Sequence, residues 1–144
     1  MIIKRYQETM IHRCVEIYIN TFTQAPWFDK IDNNQKVYHY FQNAYQMGNS
    51  RSYVFIKDDE IVGFCVGFLK PWIEGIELYI DEICIDYNHQ RQGYGDAFLN
   101  AIINDLKEDK IESILLNTDK NTPAYNYYKK HGFKEIENLV ILTR

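Results

Sequence analysis

Residues 79–98 change their hydrophobic period half-way along, and that change restricts what the chain can fold into. From Tyr79 to Ile85 the residues are β-branched, aromatic or apolar, interrupted by the carboxylates Asp81 and Glu82, which predicts a mostly buried strand. From Gly95 onward Phe98, Leu99, Ile102, Ile103 and Leu106 recur at the spacing of an amphipathic helix. Between the two periods lies Gln90-Arg91-Gln92-Gly93-Tyr94-Gly95. Its two glycines permit a tight turn free of Cβ clashes, so several N–H groups can converge at a helix N-terminus, where unpaired donors and the helix dipole favour phosphate. Arg91 adds a forked cation. Such a turn also serves as a plain joint between strand and helix.

On either side the elements are legible from local signals. Ile2 to Tyr6 reads as a first strand, and Met10, Ile11, Cys14, Val15, Tyr18, Ile19 and Phe22 as the stripe of a first helix. Asp32 followed by Gln35 resembles a capping box opening a second helix that stops near Gly48. Between these helices, Thr23 to Asp29 is aromatic and broken by Pro26, either a hydrophobic plug or a wall of a binding site. Tyr53 to Lys57 and Ile61 to Leu69 form a hairpin ended by Pro71, leaving Trp72, Ile73 and Glu74 on a loop before the central strand. Ile111 to Asn117 is a further strand. Thr122 and Pro123 open a last helix that Gly132 terminates. Phe133 to Ile136 and Leu139 to Leu142, joined at Glu137 and Asn138, predict a closing hairpin.

At 144 residues the chain reads as one domain, residues 1–144, large enough to need no disulfide. Cys14, Cys65 and Cys84 are odd in number and form no paired motif, as expected of buried free thiols in a reducing, cytoplasmic setting. Neither a signal-peptide core nor a bilayer-spanning apolar run is evident, so no membrane association is expected. A net charge of −4 argues against a general nucleic-acid surface. His12, His39, His89 and His131 have no metal-ligand spacing, and no metal is expected. The glycine turn fits neither a P-loop nor a dinucleotide fingerprint, because position 98 is Phe.

Gln90-x-x-Gly93-x-Gly95 after a strand resembles the pyrophosphate loop of the GNAT acyl-CoA N-acyltransferases, and Tyr125 to Phe133 resembles that family's tyrosine helix ending in Gly-Phe. The resemblance spans nearly the whole chain. It implies the GNAT fold, a mixed α/β architecture with a central mixed sheet of about seven strands flanked by about four helices. It further implies acetyl-CoA as co-substrate. The pantetheine arm would pair with the main chain of Ile83, Cys84 and Ile85, and the pyrophosphate would lie in the loop formed by Gln90, Arg91, Gln92, Gly93, Tyr94, Gly95 and Asp96. Asn121 resembles a polar residue that bonds the cofactor, and Tyr128 the tyrosine that meets the CoA sulfur and protonates it. Asp96 departs from the pattern, because a carboxylate in the first helical turn competes with a bound anion.

For the base that takes the amine proton, the candidates are Asp81, which is preferred, and Glu82. Strand alternation predicts that only one of them faces the acceptor. The structural alternatives are a salt bridge on the sheet, or a water chain in place of any single base. Tyr79 to Glu82 resembles the aminoglycoside N-acetyltransferase branch. From Pro71 to Tyr87 there is no Lys, Arg or His, whereas Glu74, Glu77, Asp81, Glu82 and Asp86 are acidic, which predicts either a solvated strand edge or a mouth attracting cations. Trp27, Trp72, Glu77 and Tyr79 are the candidate acceptor contacts. The expected function is direct transfer of an acetyl group from acetyl-CoA to a primary amine of a small cationic acceptor, of aminoglycoside, polyamine or lysine type. The rivals are a non-catalytic acyl-CoA-binding or sensing domain and a protein Lys or N-terminal acetyltransferase. By family analogy the closing hairpin could join two copies in a homodimer.

Overall fold

In a computed structural model describing residues 1–144, the chain forms β1 (Ile2–Arg5), α1 (Ile11–Phe22), α2 (Asn34–Gln46), β2 (Tyr53–Lys57), β3 (Glu60–Trp72), β4 (Gly75–Ile85), α3 (Tyr94–Glu108), β5 (Ser113–Leu116) and α4 (Pro123–Lys130). Single 3-10 turns at Glu8–Met10 and Tyr87–His89 lead into α1 and out of β4. The strands lie side by side in sequence order, antiparallel except for the parallel pair β4 and β5. This is the mixed α/β architecture expected, but the sheet has 5 strands where about seven were expected. The difference is the closing hairpin. Its turn forms, with Leu139 N–H bonded to Ile136 O at 3.3 Å, yet neither arm joins a ladder. Leu139, Val140, Ile141 and Leu142 are 64–85% exposed, so no burial offsets the entropy of ordering them.

Strand alternation divides the apolar side chains between two cores. Val54, Phe64, Val66 and Cys84 pack against Ile11, Cys14 and Ile17 of α1 and Val37 and Phe41 of α2. Tyr53, Phe55, Cys65, Leu78, Ile80 and Ile85 pack on the opposite face, against Phe98, Ile102 and Leu106 of α3. In β4 the sorting changes parity. Leu78 and Ile80 face α3, whereas beyond them Ile85 faces α3 and Cys84 faces α1. The cause is a β-bulge: Val66 pairs with Glu82 and Gly67 with Ile80, leaving Asp81 as the extra residue. All three cysteines are free and buried, and burial pushes the Cys14 and Cys84 thiols up to about 12.

Two local expectations need correction. Pro71 does not end the hairpin; β3 continues to Trp72 and pairs with β4 across a tight turn at Ile73 and Glu74. The Leu69 N–H points away from β4, to Asn49 O, and two residues on the missing N–H of Pro71 faces that same side, beyond the end of β2, so no rung is lost. The cap of α2 is Asn33, whose side chain accepts the Gln35 N–H at 2.9 Å, while Asp32 pairs with Lys36 one turn later. Thr122 and Pro123 do open α4, and Gly132, at φ 86°, closes it: Phe133 N–H reaches Tyr128 O and Gly132 N–H reaches Lys129 O.

Candidate active site

β4 and β5 pair only from Glu77 to Ile80 against Ser113 to Leu116. Beyond Ile80, β4 runs on beside β3 to Ile85 with its other edge free, and a cleft of about 860 Å³ opens there. Asp81, Glu82, Ile83, Cys84 and Ile85 form its floor; Tyr18, Phe22, Trp27 and Asp29 lie on the side of the first two helices; Tyr127 and Tyr128 of α4 close the other side.

The bulge determines the chemistry of the floor. Before it the odd-numbered residues of β4 face α1 and α2; after it the even-numbered ones do, so Asp81 and Glu82 share that face instead of dividing between two. Their environments then diverge. Asp81 accepts a hydrogen bond from the Tyr40 hydroxyl of α2 at 2.6 Å. Glu82 is pushed up to about 7 by burial first, and then by the neighbouring Asp81 and Asp29. A carboxylate poised near neutrality can take a proton and release it again. Burial raises the Tyr128 phenol, which therefore stays protonated at neutral pH.

The loop beyond β4 is built to receive an anion. Gln90 Nε2 donates to Ile85 O at 2.9 Å, fastening the loop to the strand end. Arg91 at φ 60° and Gly93 at φ 79° turn the backbone through the left-handed region. Gly93 is the N-cap of α3 and has no side chain to cover the first-turn N–H groups. Gly95 lies under the Tyr127 ring, which a Cβ would meet at 3.6 Å, and the Tyr127 hydroxyl donates to Gly95 O at 2.8 Å. Asp96 does not reach into the loop. Its carboxylate accepts from His131 Nε2 at 2.9 Å and from Lys130 Nζ at 3.3 Å, and these partners, His131 foremost, hold it below the usual carboxylate range. An uncapped helix start beside Arg91, together with a strand edge at Ile83 to Ile85 that no neighbouring strand covers, fits the pyrophosphate and the amide-bearing arm of acetyl-CoA.

Several residues singled out in the sequence lie elsewhere. Gln90, Arg91 and Gly95 line the cleft, whereas Gln92, Gly93, Tyr94 and Asp96 belong to the turn and helix start behind it. Asn121, at φ 59°, occupies the exposed turn before α4. Trp72 stands on the hairpin tip, 55% exposed and bonded to Glu77, which also accepts from Ser113 at 2.9 Å. Tyr79 packs its ring against Phe68 and accepts from Asn117, which does line the cleft. Asp86 is withdrawn from any mouth: it is 3% exposed and held by Arg13 at 2.8 Å and Asn20 at 2.7 Å. Of the five acidic residues between Pro71 and Tyr87, only Asp81 and Glu82 reach the cleft, where Asp29 and Asp119 join them. No local signal distinguished Tyr18 or Tyr40, or Asp29 within its segment; long-range packing brings Tyr18 and Asp29 to the cleft and Tyr40 against Asp81. No set of His, Cys, Asp and Glu converges in metal-ligating geometry, and no helix is long and apolar enough to cross a membrane.

The chain resembles known proteins in sequence and in fold. The sequence model of the acetyltransferase (GNAT) family matches residues 11–133. An N-alpha-acetyltransferase of Sulfurisphaera tokodaii is 27% identical over 112 residues, covering 71% of this chain and 67% of that protein. A predicted acetyltransferase from Clostridium acetobutylicum, solved with acetyl-CoA, superposes with a TM-score of 0.72 at 19% identity, over 98% of this chain and 94% of its own. An aminoglycoside acetyltransferase from an uncultured soil metagenomic sample, solved with trehalose, gives a TM-score of 0.73 at 20% identity, over 99% and 93%. Because the family match begins at the first residue of α1 and ends at the phenylalanine that follows α4, it takes in both sides of the cleft, and the chain belongs to the acetyltransferase (GNAT) family as an acetyl-CoA-dependent N-acetyltransferase.

Proposed function

We propose that the protein acetylates a primary amine of a small, positively charged acceptor, with Glu82 as the base and Tyr128 as the acid. The observation that carries this reading is the pairing of two groups in one cleft: a carboxylate raised to about 7 and a phenol that keeps its proton. Acetyl-CoA supplies an acetyl thioester. Glu82 takes the proton of the acceptor ammonium, directly or through a water, and so frees the nitrogen lone pair for the thioester carbon. As the new C–N bond forms and the C–S bond breaks, Tyr128 gives its phenolic proton to the departing sulfur, and the second proton released by the attacking nitrogen restores the phenol through water. Asp81, anchored by Tyr40, places a second carboxylate beside Glu82 and favours a cationic acceptor. Trp27 and Asp29 place an aromatic face and a further carboxylate on the acceptor side.

The similarity to an N-alpha-acetyltransferase favours a second acceptor class, the N-terminal amine of a polypeptide. Thiol release from acetyl-CoA, measured against aminoglycosides, spermidine, lysine, glutamate and peptides with free N-termini, separates the two. Turnover on small polyamines or amino sugars with none on glutamate supports the cationic-acceptor reading. Turnover confined to peptides replaces it with the N-terminal one.

A further inference from the structure

Asp96 is the third residue of α3, after Tyr94 and Gly95. A carboxylate at that place in a helix is positioned to reach back and accept from the uncapped N–H groups of its own first turn, as the acidic partner in a capping box does. Those donors are the ones the cofactor reading assigns to the pyrophosphate, and the glycine N-cap offers them no competing side chain. In this structure Asp96 points instead to the end of α4, across 35 residues of sequence, where His131 Nε2 holds one oxygen and Lys130 Nζ the other. The His131 side chain is 12% exposed, and its ring packs against Tyr127 at 4.7 Å, the residue whose hydroxyl bonds Gly95 O. The anchor is therefore built into the contact between α3 and α4.

We propose that His131, assisted by Lys130, is a positioning residue for co-substrate binding: it holds the Asp96 carboxylate away from the start of α3 and so keeps the anion cradle open. This rests on the reading of Gln90 to Asp96 as the pyrophosphate loop. Released from His131, Asp96 caps its own helix, occupying donors and placing a negative charge where the phosphate must sit. The role differs from ordinary packing in one respect. The harm done by losing His131 is transmitted by the charge of Asp96, so it disappears when that charge is removed.

The test is a titration of CoA by calorimetry into four forms of the full chain: wild type, His131→Ala, Asp96→Asn and the double variant. Losing the anchor is expected to weaken CoA binding about fivefold, the scale of one charge at a helix terminus. In the Asp96→Asn background the same His131→Ala change is expected to have no effect. His131→Gln, which retains a donor, is expected to bind like wild type and guards against a folding defect of the alanine variant. If the double variant binds as weakly as His131→Ala, or if His131→Ala binds like wild type, the positioning role is overturned while the pyrophosphate reading stands. A wild-type chain that does not bind CoA overturns both.

Discussion

The two sides of the cleft are held differently. On the donor side, one local bond, Gln90 to Ile85 O, fastens the loop to the strand end, and two bonds between residues more than thirty apart, Tyr127 to Gly95 O and His131 to Asp96, lock α3 to α4. On the acceptor side, the segment between α1 and α2 leaves Trp27 44% and Phe28 68% exposed. It is fastened by the Asp29 N–H to Phe22 O at 2.8 Å and by an edge contact between Trp27 and Phe22. A co-substrate whose phosphates and amides never vary suits a preformed site, because preorganisation lowers the cost of ordering on binding. An acceptor that differs between relatives suits a loop free to change, with function carried on loops held by a rigid scaffold. Between the two sides stands Asp86, which bonds Arg13 and Asn20 of α1 and caps the turn at Asn88 that leads into the donor loop.

The contrast can be broken most severely at that joint. Replacing Asp86 with Ala removes the carboxylate that Arg13 and Asn20 share and should destabilise the fold by about 2 kcal/mol, the scale of lost hydrogen bonds to a charged group, since Arg13 is partly exposed and keeps Ile61 O and Glu16. Denaturant unfolding measures the loss, and both CoA and acceptor affinities should fall with it. Tyr128→Phe tests the chemistry alone: kcat should drop by about 10²-fold while CoA affinity is unchanged, since an acid acts on the reaction and not on binding. An unchanged kcat would remove Tyr128 from the mechanism.

Glu82→Gln should reduce kcat/KM some tens-fold, on the order of a general base partly replaced by water, and should abolish the rise of the wild-type rate as pH passes through about 7. The same substitution should raise stability. Because folding lifts Glu82 above its usual 4.5, its burial is harmless below that pH, opposes folding increasingly between 4.5 and about 7, and opposes it by a constant amount above. At pH 8 the Gln variant should therefore be more stable by on the order of 2 kcal/mol, and unfolding curves at pH 4 and pH 8 would show the gain only at the higher pH. The smallest effect sharpens the comparison: Trp27→Ala should raise the acceptor KM about fivefold, the loss of one aromatic contact to a cation, and leave CoA binding untouched. An equal loss for CoA would mean that the sides are not independent.

Much of the donor side was legible in the sequence because it rests on local rules. The change of period at residues 79–98, the glycine that permits a left-handed turn at Gly93, and the Thr122-Pro123 start and Gly132 stop of α4 each act within a few residues. The acceptor side was less legible. The segment Thr23 to Asp29 showed itself as a possible wall, but nothing local marked Asp29 as lining the cleft, or Tyr40 as the partner of Asp81.

By itself, then, the sequence determined the order of elements from β1 to α4, the site of the turn and the family, all properties of neighbouring residues and their spacing, whereas the closing hairpin that it predicted adds no strand to the sheet. The tertiary structure decided which carboxylates meet. Alternation placed Asp81 and Glu82 on opposite faces, but the bulge opposite Val66 and Gly67 turned both to one side, because strand register is fixed by the partner strand and the two cores and not by β4 alone. The same physics withdrew Asp86, whose acidity is a property of the residue but whose burial beside Arg13 is a property of the fold.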